Sequence, residues 1–206
     1  MLSGETDHIV MVIGTRPEAI KMAPLAIQLR DSLPDGGFKL IITSQHGKIL
    51  TEVLDFFGLV ADVDLDLMRE GQPISELLSR VILGVGRALG QFRPRYVLVH
   101  GDTTTALGAG LAAFYEGIPV AHVEAGLRTR KLDSPFPEEL NRQAISRLAS
   151  LHFAPTKRAS DALMLEDIDP GLIHVSGNTV IDALRLTTES FAEGTHPAVL
   201  KTVKSK

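Results

Sequence analysis

Two carboxylates stand where short apolar runs end. Asp102 follows YVLVHG (96–101), and Glu124 follows PVAHV (119–123). A carboxylate at the end of an apolar strand is costly unless it is paired or used. Two such acids in different surroundings can serve as general acid and general base. A third acidic point, Glu138 and Glu139, follows the Pro-stiffened stretch SPFP (134–137). Two of these three points have a plainer alternative, whereas Glu is a mediocre cap and capping explains Glu124 less well. Asp102 before TTT (103–105) suits a helix N-cap. Glu138 and Glu139 suit a first helical turn, and Glu138 can pair with Arg142 at i,i+4. His122 lies two residues before Glu124, which on a strand places both on one face. No HxH or HExxH spacing accompanies these groups, so no metal is expected.

A basic counterpart lies at Gly14-Thr15-Arg16-Pro17-Glu18. Gly14 allows a tight turn with close backbone approach. The helix that follows aims free N–H groups and its positive end at the crevice, and Arg16 adds a planar fork suited to phosphate. The segment is neither GxGxxG nor GK[ST]; its alternative is a plain turn with a surface Arg. Likewise SGN (176–178) either contacts a nucleotide or is a packed turn.

These residues need a frame to bring them together. Short Val- and Ile-rich runs at 8–13, 38–42, 96–99, 119–123, 151–154 and 172–175 predict strands. Amphipathic stretches at 17–31, 48–57, 74–90, 103–116, 137–150, 156–167 and 179–189 predict helices between them. Pro17 fits a first helical turn, and Thr156 and Asn178 fit N-caps. Strand–helix alternation implies a mostly parallel sheet with helices on both faces. In such sheets ligands bind beyond the carboxyl ends of the strands, at the switch in strand order; Gly14, Asp102, Glu124 and Gly177 all fall there.

Composition narrows the classes. The chain has 206 residues, 44% hydrophobic and 22% charged, with a net charge of −4. This is a globular composition, long enough to bury roughly 70% of its unfolded surface. The mild acidity argues against generic nucleic-acid or membrane-surface binding. With no Cys, disulfides, thiolate metal sites and cysteine nucleophiles are excluded. No apolar run approaches the roughly 20 residues of a membrane span, and residues 1–8 do not resemble a signal peptide.

Four segments together, GTRPEAIKMAPL (14–25), VHGDTTTALGAGLAAFYEGIPVAHVEAGLRT (99–129), SPFPEELNR (134–142) and SGNTVIDAL (176–184), resemble the non-hydrolysing UDP-N-acetylglucosamine 2-epimerases. The resemblance runs almost continuously over residues 9–184. It implies a cytoplasmic isomerase of surface-polysaccharide precursor synthesis, interconverting UDP-N-acetylglucosamine and UDP-N-acetylmannosamine by elimination and re-addition of UDP. It implies no metal or nicotinamide cofactor, a homodimer, and two Rossmann-like domains of the glycosyltransferase-B kind. Carried onto this sequence, Asp102, Glu124 and Glu138 match the family's catalytic acids and Arg16 its phosphate-side arginine. Lys21 and Arg142 match further polar positions, and Gln45, His46 and Gln72 match the region that meets effector or sugar. Four positions depart from the family pattern. Ser44 precedes Gln45 where a small residue is usual, and Asp133 replaces a common Tyr. Arg130 and Lys131 stand where Gly and a polar residue are frequent.

Family enzymes are nearly twice as long. The expected organisation is an amino-terminal epimerase domain over 1–186 and a tail or linker over 187–206, without the carboxyl-terminal nucleotide-binding domain. Such a chain is expected to fold but to turn over little alone, and it invites a separate carboxyl-terminal half as partner. The alternative is a stand-alone nucleotide-sugar-binding or regulatory domain. Exposed polar groups near Arg16, Asp102 and Glu124, and association through uncovered apolar surface, are further expectations.

Overall fold

A computed structural model of the chain describes residues 8–43 and 48–193. Its strands are β1 (Ile9–Ile13), β2 (Phe38–Ile42), β3 (Val63–Asp64), β4 (Tyr96–His100), β5 (Val120–Val123), β6 (Leu151–Ala154) and β7 (Ile173–Val175). Its helices are α1 (Arg16–Ser32), α2 (Lys48–Phe56), α3 (Ile74–Phe92), α4 (Thr104–Tyr115), α5 (Glu138–Leu148), α6 (Lys157–Met164) and α7 (Val180–Glu193). The strands form one sheet in the order β3-β2-β1-β4-β5-β6-β7, and every adjacent pair is parallel. This is the Rossmann-like α/β arrangement expected from the strand–helix rhythm.

The central strands are apolar throughout because both faces are covered. Val10, Val12, Val97, Val99 and Val120 pack with α3, α4 and Ile145 of α5. Met11, Ile13, Leu40, Ile42, Leu98 and Val123 face the other way, toward α1 and α2. Alternation by two along each strand thus divides one sheet between two cores. The strand order reverses between β1 and β4, where the chain passes from the α1–α2 side to the α3–α4 side. Their carboxyl ends open the crevice at which ligands of open α/β sheets bind.

Beyond β6 the covering thins. Val175 of β7 and Val180, Ile181 and Leu184 of α7 are exposed, consistent with the expected uncovered apolar surface. α7 runs to Glu193, past the predicted end at 189. β3, only two residues long, was not among the predicted strands, because two residues leave no readable period.

Candidate active site

The β1–α1 turn and the β4–α4 turn are tied together by a buried acid. Thr15 caps α1, and Glu18 completes the reciprocal capping box. Glu18 Oε2 accepts from the N–H groups of Gly14 (3.0 Å) and Thr15 (2.7 Å), while Oε1 accepts from Thr103 Oγ1 at 2.8 Å. Burial pushes the Glu18 carboxyl up, against the pull of these three hydrogen-bonding neighbours. Gly14 is required by close approach: a Cβ there would lie 2.2 Å from Thr105 Oγ1 and 2.7 Å from Thr43 Oγ1. The two turns flanking the switch point therefore sit in van der Waals contact, which fixes the spacing of the crevice.

Glu124 immediately follows β5 with a left-handed backbone, φ 63°. Such a conformation costs a non-glycine residue about 1–3 kcal/mol and persists only where its surroundings impose it. Here Lys21 Nζ donates to both carboxylate oxygens, at 2.7 and 2.8 Å, and Asn178 Nδ2 donates to Oε1 at 2.9 Å. Asn178 also accepts from Val180 N–H at 3.0 Å, beginning α7. One amide thus caps a helix and orients an acid. His100 Nε2 lies 3.4 Å from Glu124 Oε2. Burial draws the His100 pKa down to about 4, with Glu124 opposing and Lys21 assisting, so the ring is neutral near pH 7.

The left-handed turn also corrects an expectation. His122 and Glu124 do not share a face, because alternation stops at Val123. The His122 ring is buried and its Nε2–H donates to the Gly101 carbonyl at 2.7 Å. Burial lowers its pKa to about 3.

Asp102 is not an N-cap. That role falls to Thr103, whose hydroxyl accepts from Ala106 N–H at 3.0 Å. The Asp102 carboxylate instead meets Arg142 Nη2 at 2.9 Å, and its carbonyl accepts from Asn141 Nδ2 at 2.8 Å. Burial pushes the Asp102 pKa up. Arg142 opposes this, while the charges of Glu138 and Glu124 reinforce it. Those mutual effects mark the three acids as neighbours in one crevice.

The expected Glu138–Arg142 pair is replaced by another. Arg142 also reaches Glu139 at 3.3 Å, and Glu138 Oε2 is buried without a hydrogen-bond partner among the described residues. Glu139 is the structural acid of the two. It is fully buried and accepts from the N–H groups of Thr129 (3.0 Å) and Arg130 (2.9 Å) and from Gln143 (2.8 Å). These bonds hold its pKa down despite burial. Helix register decides between the neighbours: one points inward under the preceding loop, and the other toward the crevice.

The loop after Glu124 is secured by Arg128, whose guanidinium grips Glu166 at 2.7 and 2.9 Å and Ser146 at 2.8 Å. Gly126 passes against α6 with φ 88°, and a Cβ there would sit 2.2 Å from the Ala159 carbonyl. Gly126→Ala is expected to destabilise the chain by about 3 kcal/mol, from backbone strain plus overpacking. A urea titration would show this as a lowered midpoint with an unchanged slope.

Of the other expected residues, Arg16 is exposed at the start of α1, and Lys21 and Arg142 converge on the acids. Gln72 is half-buried before α3, its Oε1 without a partner among the described residues. Gln45 and His46 lie outside the described residues. Glu18 and Arg128 were missed from sequence, and Glu139 was noted only beside Glu138 in a first helical turn. Glu18 was findable, since Thr15-Arg16-Pro17-Glu18 carries the T-x-x-E spacing of a capping box; nothing in the EE pair distinguishes Glu139.

Acids in unlike environments at the mouth of one crevice, held by a lysine, an arginine and an amide, suit proton transfer to and from a substrate. Comparison with known proteins points the same way. The family described as UDP-N-acetylglucosamine 2-epimerase matches residues 33–206. A Salmonella typhimurium protein named UDP-N-acetylglucosamine 2-epimerase is 51% identical over 176 residues, covering 85% of this chain and 46% of its own length. The crystal structure of the UDP-N-acetylglucosamine 2-epimerase of Neisseria meningitidis, bound to UDP-N-acetylglucosamine, superposes with a TM-score of 0.87. It is 46% identical, covering 91% of this chain and 51% of that one. The Methanocaldococcus jannaschii enzyme, solved with UDP-N-acetylglucosamine and UDP, gives a TM-score of 0.84 at 30% identity, covering 95% of this chain and 52% of its own. This chain spans about half the length of the curated relatives it matches.

Proposed function

Because the chain belongs to the UDP-N-acetylglucosamine 2-epimerase family, we propose that it supplies the acid cluster of an enzyme that interconverts UDP-N-acetylglucosamine and UDP-N-acetylmannosamine. The observation that carries this reading is the gathering of Asp102, Glu124 and Glu138 at the switch-point crevice, with Lys21 and Arg142 upon them.

Epimerisation at C2 requires one proton to leave and another to arrive on the opposite face. In the proposed course a carboxylate takes the C2 proton while the C1–O bond breaks, its electrons leaving with UDP. A C1–C2 double bond remains in 2-acetamidoglucal. UDP oxygen then re-adds at C1 as an acid returns a proton to C2. Asp102, with its raised pKa, suits proton return. Glu124, fixed by Lys21 and Asn178, suits removal. Glu138 brings a buried oxygen without a partner among the described residues to the same space. Arg16, exposed at the N-terminus of α1, is placed in the role of holding phosphate while UDP is detached. Gln45, His46 and Gln72 are assigned to contacts with sugar or effector.

The reading extends to the organisation of the whole protein. Residues 1–186 are read as the amino-terminal domain and 187–206 as a tail or the start of a linker, with α7 carrying its helix past that boundary to Glu193; the other half of the relatives' length would supply the rest of the diphosphate site. A second copy of the chain is the proposed partner. Exposed Leu83, Phe114 and Tyr115 on α3 and α4 support an apolar contact there. The proposed compartment is the cytoplasm; among the described residues no helix is long and apolar enough to cross a membrane.

Proton NMR in D2O with UDP-N-acetylglucosamine tests the reading. The whole protein is expected to incorporate deuterium at C2 and to produce the UDP-N-acetylmannosamine anomeric signal. The folded 206-residue chain alone is expected to show neither, since catalysis depends on preorganised diphosphate placement. Binding without exchange by the whole protein would refute the proposal in favour of a nucleotide-sugar-binding domain.

A further inference from the structure

We propose that a second cleft, between the loop 126–130, α5 and α6, is an anion site that takes a phosphate-bearing small molecule. The cleft has a volume of about 630 Å³, and Arg128, Arg130, Arg142 and Arg158 all line it, with Thr156 and Asp161. It adjoins the acid cluster through Arg142 but is built from a different set of residues.

The charges in this cleft do not balance. Arg128 is matched by Glu166, and Arg142 by Asp102 and Glu139. Asp161 is already held by Lys157. Arg130 and Arg158 are exposed and have no ion pair among the described residues. Two guanidinium groups therefore face the cleft uncompensated, beside the N-terminus of α6, whose partial positive charge adds to theirs. Thr156, the cap of that helix, accepts from Ala159 N–H and keeps its own hydroxyl proton to donate. Arg142, with a side chain 10% exposed, has a buried Nε that finds no acceptor among the described residues. That Nε is sealed from the cleft, so the contacts to a ligand fall to Arg130, Arg158 and the Thr156 hydroxyl.

Arg130 carries the argument furthest. Its φ is 63°, a conformation that suits glycine and is strained for a long side chain. This chain bears the strain and pins the backbone, with Arg130 N–H donating to Glu139. A strained guanidinium beside three others points to a use for its charge. Paired planar forks recognise phosphate oxygens bidentately, better than carboxylate-free apolar surfaces or point charges would. The volume far exceeds one phosphate group, so the ligand class is a phosphorylated small molecule rather than free phosphate.

Isothermal titration of the full chain with inorganic pyrophosphate tests the site. Saturable binding is expected, weakened about tenfold or more by Arg130→Gly and again by Arg158→Gln. Arg130→Gly relieves the strained backbone, and Arg158 is on a solvent face, so both variants should keep the native circular dichroism spectrum. Arg16→Gln is expected to leave this binding unchanged. Absence of binding up to about 10 mM, or loss of binding with Arg16→Gln but not with Arg130→Gly, would overturn the proposal; the latter would assign the anion to the substrate crevice.

Discussion

Replacing Asp102 with Asn is expected to lower C2 proton exchange by the whole protein about 10²–10⁴-fold, the usual contribution of one general acid or base. The substitution keeps shape and volume. Asn can still accept one hydrogen bond from Arg142, whose second partner Glu139 is untouched, so the fold should remain. What is lost is the exchangeable proton on a carboxyl whose pKa burial raises. Glu124→Gln should reduce exchange by a similar factor but also cost stability. Its carboxylate accepts from Lys21 and Asn178, and an amide in its place must turn one N–H₂ group toward those donors, at about 1–3 kcal/mol. Deuterium incorporation at C2, followed with kcat and KM, separates these outcomes. A variant with unchanged exchange would remove that acid from the proposed chemistry. Loss of substrate binding without loss of turnover at saturation would reassign it to binding.

Acid should unfold the domain earlier than its carboxylates alone would require. His100, His122 and His152 are all buried, and burial holds their pKa values near 4, 3 and 4 respectively. Each is depressed below the value of about 6.5 expected in the unfolded chain. The neutral rings therefore contribute stability that is fully present above about pH 6.5 and is lost as pH falls toward 4, because the unfolded chain takes up protons that the folded chain refuses. Each histidine contributes up to about 1.4 kcal/mol per pH unit in that window, so three together approach about 4 kcal/mol per unit. Glu18 and Asp102, with raised pKa values, act in the opposite direction above the usual carboxyl value of about 4, where the folded chain takes up their protons first and offsets part of the histidine loss. Urea midpoints measured between about pH 7 and pH 5 should fall steeply. A flat profile would mean that at least two of the rings are solvated or already charged.

The central frame was legible because its signals were strong and local. Val- and Ile-rich runs of four to six residues, each followed by a turn residue, located six of the seven strands within a residue or two. The placement of Asp102 and Glu124 near one another followed from topology, since parallel strands deliver all their carboxyl ends to one edge; Lys21, inside α1, entered only through the family resemblance. The pairings were not legible. Whether Arg142 takes Glu138, Glu139 or Asp102 depends on helix register and on what lies across the crevice, neither of which has a sequence period. The His122 error came from extending strand alternation one residue too far, past a left-handed turn made by Glu rather than Gly. Asn178 was recognised as a cap, but its second bond, to an acid 54 positions earlier, has no local signature.

The strand order carries a consequence for how the chain is made. β1 is synthesised first yet lies in the interior of the sheet, between β2 and β4. One of its edges stays open until Tyr96–His100 has emerged, roughly 80 residues after Ile13, or about 4–16 s of translation at ribosomal rates of about 5–20 residues per second. Throughout that interval Val10 and Val12, which end with no solvent exposure, sit on an unpaired apolar ribbon. On the ribosome the nascent amino-terminal segment is thus a natural client for a holding chaperone, and slowed translation between β2 and β4 would lengthen its exposure rather than help it fold.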